Sequence, residues 1–244
     1  LKEMKKIAEI VGNKADIALY KKDIELCRKA INDKYFDAET KNYSRGTQTE
    51  NALAVSLGIC AEKHTAEVAE NVYKDVVARN YHCTSGNVGY RHVFYVLAEY
   101  GHADAVVKIL KNPEYPGWGY MIASGATSVW ERWESKMTNE MHSFNHPMYG
   151  SYDAFLYKFL GGIDVSEDAF GADKLTVAPV FVDGIDFVET SYKTVRGMLE
   201  VNWQRSESGV ELDITVPPTS TVDLLCGGEK RELKAGRHTL KIDK

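Results

Sequence analysis

The chain has 244 residues and a formal net charge of -5, from 30 Lys and Arg against 35 Asp and Glu. This length can bury a sizeable core in one large or two modest domains, and the charge shows no basic run typical of a nucleic-acid surface. No stretch approaches the roughly 18 consecutive apolar residues of a membrane span, so neither nucleic acid nor a membrane is an expected partner.

Helical spacing dominates the first 111 residues. Apolar residues recur there every three or four positions, with charged residues on the opposite face. These stripes predict helices over residues 17–31, 52–59, 65–79, 93–100 and 103–110. Two further helices are expected near Val129 and over 150–163. Helices of this length with short connections predict antiparallel hairpins, with about six helical segments if the stretch divided at Gly101 is counted once.

After residue 165 the pattern changes to an alternation of apolar and polar residues with a period of two. The alternating runs are Leu175–Val180, Leu199–Trp203 and Leu212–Val216. Asp-Gly, Ser-Gly and Gly-Gly turn signals fall between them. Strands at this spacing predict a small antiparallel β-sandwich with Trp203 in its core, so we place a domain boundary near residue 165.

Residues 115–150 hold three of the four tryptophans, and Glu131 lies between Trp130 and Trp133. Aromatic faces stack on the apolar face of a pyranose, and a carboxylate can take a proton from water beside the anomeric carbon. The segment therefore suits a sugar-processing site. The local pattern alone favours another interpretation, because Ser128 and Glu131 have the spacing of a capping box, in which the glutamate only satisfies an orphan amide at a helix start.

Metal and cofactor sites are not indicated. His142 and His146 are four residues apart, but the segment His-Ser-Phe-Asn-His lacks the glutamate of a zinc-protease helix. His146 taken alone fits a packed or surface histidine. The cysteines show neither disulfide nor metal-ligand spacing and are interpreted as buried thiols. They are Cys27, Cys60, Cys83 and Cys226.

Three motifs follow one another in this part of the chain. They are PGWGYMI at 116–122, GATSVWERW at 125–133 and SFNH at 143–146. In this order they resemble bacterial α-L-rhamnosidases of glycoside hydrolase family 78. That family usually shows GATT, then Leu or Ile, then WERW, and later SLNH, so Ser128 and Phe144 are mild departures. The similarity extends over most of the chain.

The resemblance implies an (α/α)6 barrel of paired inner and outer helices, followed by a small β domain. A closed barrel of this type has twelve helices. The chain therefore resembles the C-terminal half of such a barrel, over residues 1–165, followed by an antiparallel β-sandwich over 166–244.

The resemblance also implies an inverting glycosidase that releases terminal α-L-rhamnose from a rhamnose-containing glycoside or oligosaccharide. Such enzymes hold two carboxyl groups about 6.5 to 9.5 Å apart, with a water between one of them and the sugar. By motif position, Glu131 matches the general base and His146 matches a residue that hydrogen-bonds the sugar hydroxyls. Trp118 and Trp130 would wall the rhamnose pocket.

The general acid of the family lies upstream, in a motif resembling Asp-x-x-x-Arg-x-Glu-Arg-x-Gly-Trp, which does not occur before Tyr115. We therefore expect a fragment of an enzyme, inactive alone, whose partner is the missing N-terminal half of the barrel. Two alternatives stay open. One is a non-catalytic half-barrel or sandwich module that binds a glycan or a partner, and the other is an (α/α)6 hydrolase for another sugar.

Overall fold

The computed structural model describes residues 1–134, 136–137, 139–166 and 169–243. The chain divides into two compact units, Leu1–Tyr100 and Gly101–Lys244, and each is described by itself. No helix in the described part of the chain is long and apolar enough to cross a membrane.

The first unit is helical. Its helices are α1 (Lys2–Ile10), α2 (Lys14–Tyr35), α3 (Gln48–Ser56), α4 (Glu62–Ala78) and α5 (Tyr90–Glu99). A short antiparallel pair, β1 (Phe36–Asp37) and β2 (Asn42–Tyr43), connects α2 to α3. The helices predicted in this region are confirmed, with ends that differ by a few residues.

Helices α3, α4 and α5 form the core of this unit. The apolar stripes bury Val68, Val72 and Val76 of α4 and most of the apolar residues of α5. Helix α3 begins at a capping box that sequence reasoning did not identify. The Thr47 side chain accepts the Glu50 N–H, and the Glu50 carboxylate accepts the Thr47 N–H. This reciprocal arrangement satisfies two orphan amides and fixes where the helix starts.

Helices α1 and α2 bury much less. None of the 22 residues of α2, all of which the structure describes, is buried, and α1 buries only Ala8. The exposed large apolar side chains around these helices are Leu1, Met4, Ile7, Ile10, Val11, Leu19, Leu26 and Tyr35. Cys27 of α2 is exposed as well. The prediction of four buried thiols is confirmed for Cys60 and Cys83 but is wrong for Cys27, because α2 buries none of its residues, and Cys226 is only partly buried.

The second unit begins with two helices, α6 (Ala103–Lys111) and α7 (Trp118–Ala123). A 3-10 turn at Pro147–Tyr149 leads to α8 (Tyr152–Phe155), which continues as one π-helical turn at Leu156–Leu160. The helix predicted near Val129 is wrong, since no helix occurs among the described residues between α7 and the 3-10 turn. Backbone pairing with a later segment replaces it there, as described below.

In the described residues, six strands complete the unit: β3 (Ile163–Val165), β4 (Lys174–Val177), β5 (Phe187–Thr194), β6 (Gly197–Ser206), β7 (Gly209–Cys226) and β8 (Glu229–Asp243). They form one sheet in the order β3-β4-β7-β6-β5, with β8 also paired to β7. The pair β4–β7 is parallel, which corrects the prediction of an antiparallel arrangement; the other described pairs of this sheet are antiparallel.

Strand β7 has an irregularity between Val216 and Thr221. Before it, β7 pairs with β6, and after it the strand pairs with β4, whose chain direction it shares. The sheet starts at Ile163, and the domain boundary near residue 165 stays a prediction.

Alternate residues of these strands build one apolar core. Leu199, Val201, Leu212 and Ile214 are fully buried. Trp203 lies in this core as predicted, and its indole N–H donates to the Leu160 carbonyl at 2.8 Å. Satisfying that N–H removes the cost of burying a polar atom inside the sheet.

Candidate active site

The segments of the second and third sequence motifs lie side by side. The Glu131 N–H donates to the Ser143 carbonyl at 3.0 Å, and the His146 N–H donates to the Val129 carbonyl at 2.8 Å. These two bonds join stretches that are more than ten residues apart in the chain. They bring Glu131 and His146, the two principal residues predicted from the motifs, to the same place.

A backbone amide holds the carboxylate of Glu131. The Ser143 N–H donates to Oε2 at 2.9 Å. This bond is the largest influence on the group and lowers the pKa of Glu131, while partial burial acts in the opposite direction. Electrostatic interactions with His146, Arg132 and His142 lower the pKa of Glu131 further. Glu131 is therefore ionised near neutral pH, which is the state that a general base requires.

The capping-box interpretation of Glu131 is wrong. The Ser128 hydroxyl donates to the Phe144 carbonyl at 2.5 Å. The Glu131 carboxylate accepts from Ser143, which lies twelve residues further along the chain and not at a helix start. Both side chains of the apparent capping box are thus used to join the two motif segments.

His146 immediately precedes the 3-10 turn at Pro147–Tyr149. Its Nδ1 accepts the Met148 N–H at 3.1 Å, so the imidazole caps the turn. Pro147 has no N–H, and the amide of Met148 is therefore the first one in the turn that needs an acceptor. This bond fixes which edge of the ring is turned toward the backbone.

Trp118 is the first residue of α7 and is 5% exposed. Its indole N–H donates to the Tyr149 carbonyl at 2.9 Å. The edge of the ring meets Trp133, with the ring centroids 4.8 Å apart, and Trp133 stacks on Tyr149 at 3.9 Å. Trp118 therefore ties α7 to the segment that follows His146.

Trp130 belongs to a different aromatic cluster and is 2% exposed. Its ring meets Phe144 edge-on at 5.3 Å and Tyr120 at 6.4 Å, and the Lys136 ammonium lies 5.5 Å from its centroid. The two tryptophans of the predicted sugar pocket thus lie in separate clusters, one including Trp133 and the other including Phe144. Their contact with a sugar stays a prediction.

A mostly apolar cavity of about 300 Å³ lies next to this segment. Trp118, Met121, Val129, Tyr152 and Leu156 are among the residues that line it. Of the predicted site residues, it includes Trp118. Among the described residues, no group of three or more His, Cys, Asp or Glu side chains is placed to bind a metal ion.

Sequence reasoning missed Ser143 and the charged residues around Glu131. Ser143 acts through its backbone N–H, which any residue except proline carries, so only its position at the start of the third motif could have suggested it. Arg132 lies 3.2 Å from a carboxylate oxygen of Glu140 and 3.9 Å from one of Glu134. Surface pairs of this kind leave no specific pattern in a sequence.

Comparison with known proteins finds related families over both parts of the chain. Residues 1–160 match the family described as bacterial alpha-L-rhamnosidase 6 hairpin glycosidase domain, and residues 162–241 match the bacterial alpha-L-rhamnosidase C-terminal domain. An alpha-L-rhamnosidase of Formosa agariphila is 27% identical over 244 residues, which cover 98% of this chain and 26% of that protein.

Two solved structures share the fold. An alpha-L-rhamnosidase from Dictyoglumus thermophilum has a TM-score of 0.89 at 29% identity, over 98% of this chain and 30% of that one. Streptomyces avermitilis alpha-L-rhamnosidase complexed with L-rhamnose has a TM-score of 0.89 at 25% identity, over 97% of this chain and 25% of that one.

The chain spans about a quarter of the length of the curated relative, and a similar share of the two solved structures. The two family matches nevertheless cover nearly all of its own residues, as a six-hairpin glycosidase domain followed by a C-terminal sheet domain. The chain belongs to the bacterial α-L-rhamnosidase family.

Proposed function

We propose that this chain carries the general base and part of the sugar-binding site of an inverting α-L-rhamnosidase. The observation that supports this most strongly is the pairing of the two motif segments. It brings Glu131, with its carboxylate held by the Ser143 N–H, to His146. The named activity of the relatives supports the choice of sugar.

In the proposed reaction, Glu131 takes a proton from a water molecule as the water oxygen bonds to the anomeric carbon of rhamnose. The bond from that carbon to the aglycone oxygen breaks, and a second carboxyl group protonates the leaving oxygen. Ser143 occupies Oε2, which leaves Oε1 to accept the proton. In this proposal the second carboxyl group lies outside these 244 residues, because the acid motif that the family resemblance implies does not occur before Tyr115.

His146 binds the sugar hydroxyls in this proposal, and Trp118 and Trp130 shape the wall of the pocket. Aromatic groups suit rhamnose because its 6-methyl group and one ring face are apolar. Because both indoles are buried, we propose that they shape this wall mainly by holding α7 and the segment of Phe144 in position.

We also propose a two-part architecture for the chain. Residues 1–165 are the C-terminal half of an (α/α)6 barrel, and residues 166–244 are a β-sandwich that follows it. The exposed apolar side chains of α1 and α2 support the half-barrel, because helices of a closed barrel are covered on both sides. The missing N-terminal half would cover them.

The test uses the longer polypeptide that includes the whole six-hairpin domain. We expect Glu131→Gln to lower kcat for p-nitrophenyl α-L-rhamnoside by roughly 10² to 10⁴, the range for loss of a general base. Glu134→Gln is the matched control, because Glu134 lies three residues away and pairs with Arg132 at 3.9 Å. It should change kcat by less than about threefold, as surface pairs contribute little.

Two outcomes would contradict the proposal. Wild-type turnover in the Glu131→Gln variant would remove the catalytic role. Binding of L-rhamnose without any hydrolysis by the longer polypeptide would favour the non-catalytic module. The stereochemistry is checked by NMR of the first product formed, which should be β-L-rhamnose if the enzyme inverts.

A further inference from the structure

We propose that His146 is held as the Nε2–H tautomer by the Met148 amide, and that it donates this hydrogen to an oxygen of the bound sugar. The inference rests on the proposed function for the identity of the ligand. The tautomer itself follows from contacts within the chain and does not depend on any activity.

The contact that fixes the tautomer is the bond from the Met148 N–H to Nδ1 of His146, at 3.1 Å. A neutral imidazole has one nitrogen that accepts and one that carries the hydrogen. Because Nδ1 accepts the amide hydrogen, the ring hydrogen must lie on Nε2. The alternative tautomer would direct two hydrogens at each other and leave the Met148 amide without its acceptor.

The local sequence explains why this bond forms. His146 is in an extended conformation just before the 3-10 turn, and its own N–H is occupied by the Val129 carbonyl. Pro147 supplies no amide hydrogen, so the first free amide of the turn belongs to Met148. The Asn-His-Pro-Met sequence therefore sets both the position of the imidazole and the distribution of its hydrogen.

The consequence concerns how the site recognises a hydroxyl group. Toward a ligand, His146 acts as a hydrogen-bond donor, whereas the ionised Glu131 carboxylate only accepts. The two side chains therefore present complementary polarity. A sugar hydroxyl that faces His146 must accept a hydrogen bond there and direct its own hydrogen elsewhere, which restricts its orientation in the pocket.

Nitrogen NMR of the 244-residue chain tests the tautomer directly. Long-range ¹H–¹⁵N correlation at about pH 8, above the usual histidine pKa of about 6.5, reports which ring nitrogen carries the hydrogen. The His146 signals are identified by their absence in the His146→Gln variant. We expect a single Nε2–H form. A hydrogen on Nδ1, or an exchanging mixture of both tautomers, would overturn the assignment.

A pair of variants tests the role of the Met148 amide. Met148→Ala keeps the N–H and should keep the single tautomer, whereas Met148→Pro removes it and should give a mixture. A single Nε2–H form in both variants would show that the amide is not the cause. The wild-type spectrum decides the tautomer even if the proline variant does not fold.

Binding of L-rhamnose to the longer polypeptide tests the donation to the sugar. The amide nitrogen of His146→Gln can reach the position of Nε2, whereas that of His146→Asn lies near Nδ1. We expect the asparagine variant to bind roughly three- to tenfold more weakly than the glutamine variant, the loss of one hydrogen bond. Equal affinities would overturn the donation. Absence of rhamnose binding by the wild type would overturn it together with the proposed function, while the tautomer is decided separately.

Discussion

The C-terminal sheet and the helical pair α1–α2 both have clear apolar patterns, yet the chain covers only one of them. In the sheet, Leu199, Val201 and Leu212 have no exposed surface. In α2, Leu19 is 51% exposed and Leu26 is 54% exposed. The comparison shows that a periodic apolar pattern indicates which face of an element is meant for burial, but not which part of a protein buries it.

The largest expected effect is a difference in stability between substitutions in the sheet and in α2. Leu212→Ala removes a fully buried side chain and should lower the free energy of unfolding by about 2 to 5 kcal/mol. Leu26→Ala removes a half-exposed side chain and replaces it with the best helix former, so a change within about 0.5 kcal/mol is expected. Urea unfolding followed by circular dichroism measures both. A similar loss in the two variants would mean that α2 is covered in solution.

A second expected effect concerns self-association of the chain through the exposed surface of α1 and α2. We expect the 244-residue chain either to associate through the α1–α2 surface or to lose fixed packing in its helical part, because exposed apolar patches of this kind bind partners. Replacing both Leu19 and Leu26 with Gln should weaken self-association several-fold. Leu225→Gln is the control, since Leu225 is an exposed leucine of the sheet. Light scattering after size exclusion decides, and a cooperatively folded wild-type monomer would contradict the prediction.

A smaller effect concerns a loop contact at the end of the sheet. The Arg196 guanidinium donates to the Gly171 carbonyl at 2.8 Å and to the Thr219 side chain at 2.9 Å. Arg196→Ala should lower the free energy of unfolding by about 1 kcal/mol, the net contribution of such bonds. Lys193→Ala, on the neighbouring exposed strand surface, should leave it unchanged. Equal losses in thermal or urea unfolding would show that the loop contacts contribute nothing specific.

The smallest effect is a shift in pH dependence. Because the Ser143 N–H lowers the pKa of Glu131, the base should stay ionised as the pH falls below 4.5, the usual value for this group. Ser143→Pro removes the N–H, so the pKa should rise and the acidic limb of kcat in the longer polypeptide should move to higher pH. Ser143→Ala keeps the N–H and should keep the limb in place. If the acidic limb does not move in the proline variant, the Ser143 N–H does not set the pKa of the base.

The sequence predicted those helices and strands whose apolar residues repeat with a local period. The stripe at Val68, Val72 and Val76 is sufficient to define α4, because a helical period needs no information from distant residues. The helix expected near Val129 failed for the opposite reason. Its backbone bonds go to Ser143 and His146, which local spacing cannot reveal.

The candidate site shows the same division. Glu131 and His146 could be proposed from the sequence because side-chain chemistry and motif order carry the signal, and their roles stay predictions. The Ser143 amide and the Met148 amide could not, since backbone groups have no residue signature and their role depends on pairing across a loop. The parallel β4–β7 pair was missed because local alternation predicts strands, but not which strands pair or in which direction.

The central claim is that Glu131 is the base of a rhamnosidase whose acid lies outside this chain. The most direct test measures hydrolysis of p-nitrophenyl α-L-rhamnoside by the 244-residue chain alone and by the longer polypeptide that contains the whole six-hairpin domain. We expect no hydrolysis by the chain alone, and hydrolysis by the longer polypeptide that Glu131→Gln reduces by roughly 10² to 10⁴. Hydrolysis by the purified chain alone would contradict it, because the acid would then have to lie within these 244 residues.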